Sequence, residues 1–399
     1  MIKIPFSPPY IDQSVIDEVT ATLRSGWITT GPKVKELEDA IALQTGHDHV
    51  LCVNSWTSGA ILMFHLLGLR KGDQVIIPAY TYCATALAVL HAGGIPVLVD
   101  VDKDFNMDPA RVEAAITPRT KAIMPVDIGG YPCRYKALMK LVSAPRIRSK
   151  FHPTSPLQEQ LGRITIIADN AHSMGSHLND RPDVSIYSLH AVKNITSAEG
   201  GAVCLNFPPP VDNAALCPIL RCASLNCQTK DAYAKETTGF WKYDITGLGM
   251  KINLPDVNAA IALAQMRQLP ALRQRRKELF TAYVNAFKDI PWAILPPAEG
   301  PDGEGAYHLF MLRIKGIDSE RRDRIMARIM EKGVAVNVHF QPLPLLTYFK
   351  EAGFRMKDYP QALANYQHEI SLPLYPQLTV SQVEFVVQCV IEAYNETTV

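Results

Sequence analysis

The chain has 399 residues, long enough for two large cores, because single cores stop growing at roughly 250 to 300 residues. Its 47% hydrophobic content is that of a globular protein, and a formal charge of +1 excludes a broad attraction for nucleic acid or an anionic membrane, so an anionic ligand has to be caught locally. The opening Met1–Pro9 is no long apolar leader and no segment runs to 18 uninterrupted apolar residues, from which a cytosolic, cytoplasmic protein is expected.

Ser14 to Ser25 carries Val15, Ile16, Val19 and Leu23 at helical spacing, and Lys33 to Thr45 repeats the pattern with Val34, Leu37 and Ile41 before Gly46. The glycines and proline of Ser25-Gly26-Trp27-Ile28-Thr29-Thr30-Gly31-Pro32 predict a turn-rich connection between these helices. His49–Val53 reads as a buried strand and Ser58–Leu69 as a helix. Short apolar runs then recur at 75–77, 96–100, 122–126, 164–168, 184–187 and 201–205, with helical segments between most of them. That alternation predicts an α/β architecture, a mostly parallel sheet covered on both faces.

Ser143 to Gly162, with Arg146, Arg148, Lys150 and three prolines, predicts a solvated surface excursion. Leu254 to Phe287 predicts a helical stretch that bridges two domains and breaks at Pro270, its Arg273, Arg275, Arg276 and Lys277 forming a solvated face. A strand at 308–314, a helix at 321–332 and a strand at 334–340 then make a small α+β unit. The eight cysteines include no Cys-x-x-Cys pair and read as reduced thiols; the spacing of Cys217, Cys222 and Cys227 suits no zinc site, and no metal is expected.

Asp169 ends the apolar run at 164–168, and Lys193 follows in the small-residue loop Ser188-Leu189-His190-Ala191-Val192-Lys193-Asn194. Taken singly, the aspartate is a turn or cap residue and the lysine a solvated charge. Together they are what pyridoxal phosphate (PLP) requires. A lysine amine condenses with the cofactor's aldehyde as a Schiff base, while an aspartate keeps the pyridine nitrogen protonated so that the ring accepts electrons from a carbanion. A phosphate cradle is offered by Asn54-Ser55-Trp56-Thr57-Ser58-Gly59-Ala60, where a strand turns into a helix whose first N–H groups, with the Thr57 and Ser58 hydroxyls, would hold a dianion. Plain helix capping is the alternative there. Tyr82 is placed to stack on the ring or to be a core tyrosine, His172 to reach the cofactor's phenolic oxygen or to be a satisfied buried histidine, and Ser188 to complete the cage.

Five ordered motifs carry a resemblance: Ser25–Pro32, Ala168-Asp169-Asn170-Ala171-His172, Ser188–Asn194, Ala198-Glu199-Gly200-Gly201 and Asn253-Leu254-Pro255-Asp256-Val257-Asn258-Ala259-Ala260. The chain resembles, over nearly its whole length, the sugar-nucleotide aminotransferases of the DegT/DnrJ/EryC1/StrS family. The resemblance implies the aspartate aminotransferase fold (PLP-dependent fold type I). It implies a large domain with a mostly parallel seven-stranded sheet at 1–260 and a smaller α+β domain at 261–399, the first dozen or so residues packing on the smaller one. It also implies a homodimer with sites shared at the interface. Lys193 would be the Schiff-base lysine, Asp169 the pyridinium partner, Tyr82 the stacking residue, and His172 the neighbour of the phenolic oxygen. Trp56, Thr57, Ser58 and Ser188 would surround the phosphate, with Asn253 arriving from the other subunit, and Thr29, His190 and His339 would contact substrate.

Ser-x-His-x-x-Lys is most similar to members that aminate C4 of a UDP-linked 4-keto sugar, such as the lipid A aminoarabinose and pseudaminic acid enzymes; C3 members more often carry tyrosine at the His190 position, and the dehydratase branch replaces the lysine. The implied reaction takes an amino group from L-glutamate to a nucleotide-linked keto sugar by ping-pong exchange. A C3 aminotransferase, a dehydratase and a non-catalytic regulatory protein are the rival readings, and fold alone does not separate them. Three departures from the family pattern stand out: Asp127 follows Pro125-Val126 where histidine is usual, Phe340 and Pro344 replace a tyrosine and a second histidine, and the 143–162 excursion is long.

Overall fold

In the computed structural model, which describes residues 3–230, 241–300 and 302–397, the apolar runs become strands wherever both faces are covered. They are β1 (His49–Val53), β2 (Gln74–Pro78), β3 (Ile95–Val99), β4 (Thr120–Ile123), β5 (Thr165–Asp169), the short β6 (His177–Leu178), β7 (Val184–Ser188) and β8 (Gly201–Leu205). Every residue of β2, β4, β5, β7 and β8 is buried, the signature of a sheet packed on two sides. The seven-stranded sheet runs β1-β8-β7-β5-β4-β2-β3. β3, β2, β4, β5 and β7 pair in parallel, and β8 lies antiparallel to both neighbours. The carboxyl ends of β2, β5 and β7 therefore open on one edge, where parallel sheets usually bind ligands.

A second core gathers Phe280, Tyr283, Phe287, Phe310, Leu312, Ile325 and Val386 around a three-stranded sheet of β13 (Glu369–Leu372), β12 (Phe310–Ile314) and β9 (Ala293–Ile294). Ile4 belongs to this core, and its backbone is held at 3.0 Å to Gly333 O and, from Ala335 N–H, at 2.9 Å. A hairpin of β10 (Glu299–Gly300) and β11 (Gly303–Glu304) reaches back to β6.

Three expectations are corrected. No strand forms at 334–340, because no single neighbour runs along it. Val334 bridges Ile4 and Asn337 bridges Ser371, while the N–H groups of Val338 and His339 are taken by the side chains of Asn337 and Glu369. The 143–162 excursion is not a solvated loop but a packed cover with helices Pro145–Arg148 and Pro156–Leu161. Ile147 and Phe151 are buried, Ser155 and Gln158 donate to Leu67 O at 2.7 and 2.9 Å, and buried Lys121 donates to His152 O. The basic run at 273–277 is not a solvated face either. Arg276 is buried and donates to Leu374 O at 2.8 Å, while Arg273 and Lys277 clamp Glu304 at 2.7 and 2.8 Å. The helical stretch does break near Pro270, into Asp256–Met266 and Leu269–Phe287, with the proline in a first turn where its missing N–H costs nothing.

All eight cysteines are free. Among the described residues no helix is long and apolar enough to cross a membrane, and no cluster of three His, Cys, Asp or Glu could hold a metal ion.

Candidate active site

Asp169 is the last residue of β5, and its chain neighbours on the sheet fix it: Asp127 N–H donates to Asp169 O at 3.1 Å and Asp169 N–H to Pro125 O at 2.8 Å. Its carboxylate accepts the Thr85 hydroxyl at 2.8 Å and the Ala171 N–H at 3.2 Å. Thr85 is in turn 2.8 Å from the Thr81 hydroxyl, which gives the buried carboxylate a two-hydroxyl relay. Burial pushes Asp169 up to about 6 although these donors oppose it. It therefore still carries its charge at neutral pH.

Lys193 lies across the same cavity, of about 370 Å³, whose wall also includes Trp56, Thr57, Tyr82, His172, Ser188, His190 and His339. Lys193 is half-buried; burial lowers its amine to about 8, and the Asp169 charge holds it from falling further. The size of the shift decides what the amine does. At pH 7 about one amine in ten is neutral and nucleophilic, against about one in three thousand for an ordinary lysine.

Two histidines are held neutral beside it. Gly129 N–H donates to His172 Nδ1 at 3.1 Å, which puts the ring proton on Nε2 and makes His172 a donor. Asn194, next to the lysine, donates to Ala306 O at 2.8 Å, so its oxygen faces His308 Nδ1 at 2.9 Å and the His308 proton sits there. The two rings pack with centroids 4.5 Å apart. Burial first, and then the Lys193 charge among their neighbours, hold both well below the ordinary histidine value.

The cradle forms where β1 gives way to the helix Trp56–Leu67, capped by the Ser55 hydroxyl, which accepts from Ser58 N–H at 3.1 Å. Thr57, Ser55 and Ser188 line the cavity. The Trp56 indole turns away and donates to Ile186 O at 3.0 Å, so this residue offers backbone to the cradle and anchors it with its side chain. A Cβ on Gly201 would lie 2.7 Å from the Ser55 carbonyl carbon and Trp56 N, so only glycine lets β8 pass beneath the cradle. A helix N-terminus, two hydroxyls and a serine at a strand end, opposite a lysine and an aspartate, fit a phosphorylated pyridine.

Other expected residues fall elsewhere. Ser58 does not reach the cavity wall: its hydroxyl is 2.9 Å from that of Ser55, and capping has claimed it. Thr29 and Asn253 are also outside their own cavity. Asn253 donates to Thr30 Oγ1 at 2.6 Å and caps no helix; Asp256 binds the N–H groups of Gly31, Lys33 and Val34 at 2.8, 3.1 and 3.0 Å. Tyr82 is 58% exposed, its ring 5.6 Å from that of Phe340, so it is no core tyrosine. His190 is half exposed at the rim, 3.6 Å from Glu199.

Asp127, the departure from the family pattern, is wholly buried and saturated. It accepts from Cys133 N–H at 2.8 Å, Tyr135 at 2.7 Å, Asn170 at 2.7 Å and Ser173 at 2.9 Å, and thereby grips the residues flanking Asp169 and His172. The sequence had pointed to Asp127 but not to Thr85, Thr81, Ser55 or His308. Thr85, three residues past Tyr82 in a new helix, was within reach of the same helical argument; His308 follows an irregular stretch and left no local signal.

The DegT/DnrJ/EryC1/StrS aminotransferase family profile matches residues 9–148 and 157–391, the one internal gap being the middle of the packed cover. The spore coat polysaccharide biosynthesis protein SpsC of Bacillus subtilis (strain 168) is 33% identical over 397 residues, 97% of this chain and 96% of its own. Spr1654 of Streptococcus pneumoniae, assigned as a sugar aminotransferase and solved in its PMP form, superposes with a TM-score of 0.94 at 39% identity over 99% of this chain and 100% of that one. Its PLP form gives the same TM-score of 0.94 at 38% identity. The aminotransferase TlmJ of Streptoalloteichus hindustanus follows with a TM-score of 0.84, 26% identity and 100% of both chains.

The lowered Lys193 amine has a kinetic consequence. Only its neutral form attacks an aldehyde, so the rate at which cofactor-free protein captures pyridoxal phosphate should climb with pH and level off above a midpoint near 8. Stopped-flow absorbance measures this, and a midpoint near that of free lysine would contradict the enclosed amine.

Proposed function

The chain belongs to the DegT/DnrJ/EryC1/StrS aminotransferase family, and we propose that it uses pyridoxal phosphate held through Lys193 to move an amino group from L-glutamate to C4 of a UDP-linked 4-keto sugar, in cell-surface polysaccharide or amino-sugar biosynthesis. The observation that carries this reading is the pairing of a buried, charged Asp169 with an enclosed, partly neutral Lys193 across a cavity that ends in an anion cradle. Bound there, the cofactor supplies the electron sink for the carbanion.

The protein's own groups supply the rest. Asp169, braced by Thr85 and the Ala171 N–H, holds the proton on the pyridine nitrogen. Lys193, freed when the amino donor binds, would take the proton from the donor's α-carbon and return it to the cofactor carbon on the far side of the amino nitrogen, as base and then acid. His172 Nε2–H donates toward the phenolic oxygen, Tyr82 covers the ring face, and Ser55, Thr57 and Ser188 take the phosphate. The polysaccharide role of SpsC supports the sugar acceptor, and the Ser188-x-His190-x-x-Lys193 spacing supports C4.

A homodimer with shared sites completes the reading. Thr29 and Asn253 lie on one patch beside Ile28, which is 53% exposed, and neither enters its own cavity. Trp241, Tyr243, Ile245 and Leu248 add further exposed apolar surface, the kind a second copy covers. On this reading Asn253 reaches the phosphate of the partner's site.

Purified protein given glutamate and a panel of UDP- and dTDP-linked 3-keto and 4-keto sugars should yield an amine on C4 of a UDP sugar by mass and NMR analysis, and the Lys193→Ala protein should yield none. Amination of no keto sugar, or equal product from both proteins, would refute the assignment. For the shared site, impaired Lys193→Ala and Asn253→Ala proteins should regain activity when their subunits exchange, since one site of the mixed dimer then has both residues. Proven exchange without recovery would confine Asn253 to its bond with Thr30.

A further inference from the structure

One wall of the cavity belongs to the C-terminal unit and holds a carboxylate that the proposed reaction does not use. Glu369, the first residue of β13, is wholly buried. It accepts the His339 N–H at 2.9 Å through one oxygen and meets the Ser371 hydroxyl in a short contact through the other. Ser371 Oγ lies 2.9 Å from His339 Nδ1, and the His339 ring, stacked on Phe6 at 5.4 Å, is part of the cavity wall. The result is a continuous chain, Glu369 to Ser371 to His339, that ends at the cavity.

We propose that Glu369 is a positioning residue which, through Ser371, lets His339 exchange a proton with the substrate at Nε2 while the imidazole stays neutral. This rests on the reading of the cavity as a sugar site. With Glu369 ionised, Ser371 donates to it and His339 Nδ1–H donates to Ser371, which leaves a lone pair at Nε2. When Nε2 takes a proton from a sugar hydroxyl or water in the cavity, the Nδ1 proton passes to Ser371 and the Ser371 proton to Glu369. Three bonds to hydrogen form, at Nε2, Ser371 Oγ and Glu369, and three break, at the sugar or water oxygen, Nδ1 and Ser371 Oγ; the gained proton resides on Glu369 and the donor oxygen is left with the negative charge.

The electrostatics of the two ends favour this route. Burial and the Lys193 charge hold His339 down at about 3, so an imidazolium there is strongly disfavoured near neutral pH. Burial pushes Glu369 up to about 8, against Ser371, the His339 N–H, Arg322 of the helix Ser319–Glu331 and Arg313 of β12. Tyr80, whose hydroxyl donates to His339 O at 2.8 Å, is held protonated by burial and by the Glu369 charge. The proton is therefore stored on the carboxylate and not on the ring.

Tautomer-sensitive NMR of the 15N-histidine-labelled holoenzyme tests this, with the His339 signal identified by its loss in His339→Gln. Wild-type protein should pass from the Nε2–H form to the Nδ1–H form as pH rises through about 8. In Glu369→Gln the amide oxygen keeps the His339 N–H and the amide nitrogen donates to Ser371, so the ring should stay Nε2–H throughout. Ser371→Ala, which spares Glu369 and its arginines, should also abolish the shift. Keto-sugar amination by Glu369→Gln should fall about 10²-fold. A shift that persists in either variant, or is absent from wild type, overturns the relay. A wild-type shift without any keto-sugar amination supports the relay and removes only its assigned substrate.

Discussion

A carboxylate sealed at the carboxyl end of a parallel strand is the constraint on which this molecule turns. Asp169 gives up water when β5 packs, and burial alone drives it toward neutrality; the Thr85 hydroxyl, the Ala171 N–H and the Lys193 amine keep it ionised near pH 7. Much of the surrounding architecture serves that balance. Thr85 sits on the helix that leaves β2, Asp127 pins Asn170 and Ser173 in the turn that follows Asp169, and Asn194 ties the lysine loop to Ala306 O, four residues before β12. Leaving any of these donors out would strand a buried acceptor, at a cost of roughly 1 to 3 kcal/mol.

The electrostatics of the cavity follow from the same pair. His172, His308 and His339 all line it or pack against it, and each is kept neutral by burial with the Lys193 charge as a further cause. Around the reacting pair the cavity thus gathers the Asp169 anion, a partly titrated Lys193 and three uncharged imidazoles whose tautomers are set by Gly129, Asn194 and Ser371, with His190 and Glu199 at the rim. Such a set orients donors and acceptors without adding charge that would compete with a bound phosphate.

Asp169, Lys193, Thr57, Ser188, Tyr82, His172, His190 and His339 were legible in the sequence because each stands at a strand end or in a motif whose spacing survives folding. The sheet was legible for the same reason: strands buried on both faces leave continuous apolar runs. What was lost depended on long-range partners. Ser58 reads like its neighbour Thr57 until Ser55 captures it. The expected strand at 334–340 has the right composition but no single neighbour to pair with. The basic turn at 273–277 reads as solvated because nothing local announces that Glu304 and Leu374 O will meet it.

The most direct test of the Asp169–Lys193 pair is the midpoint for pyridoxal phosphate capture in Asp169→Asn protein, set beside that of the wild type. Asp169 raises the Lys193 amine, so loss of its charge should move the midpoint downward from about 8, by roughly one unit for charges that share a poorly solvated cavity. An unchanged midpoint would mean that the two groups do not sense each other, and the account of the site built on them would fall.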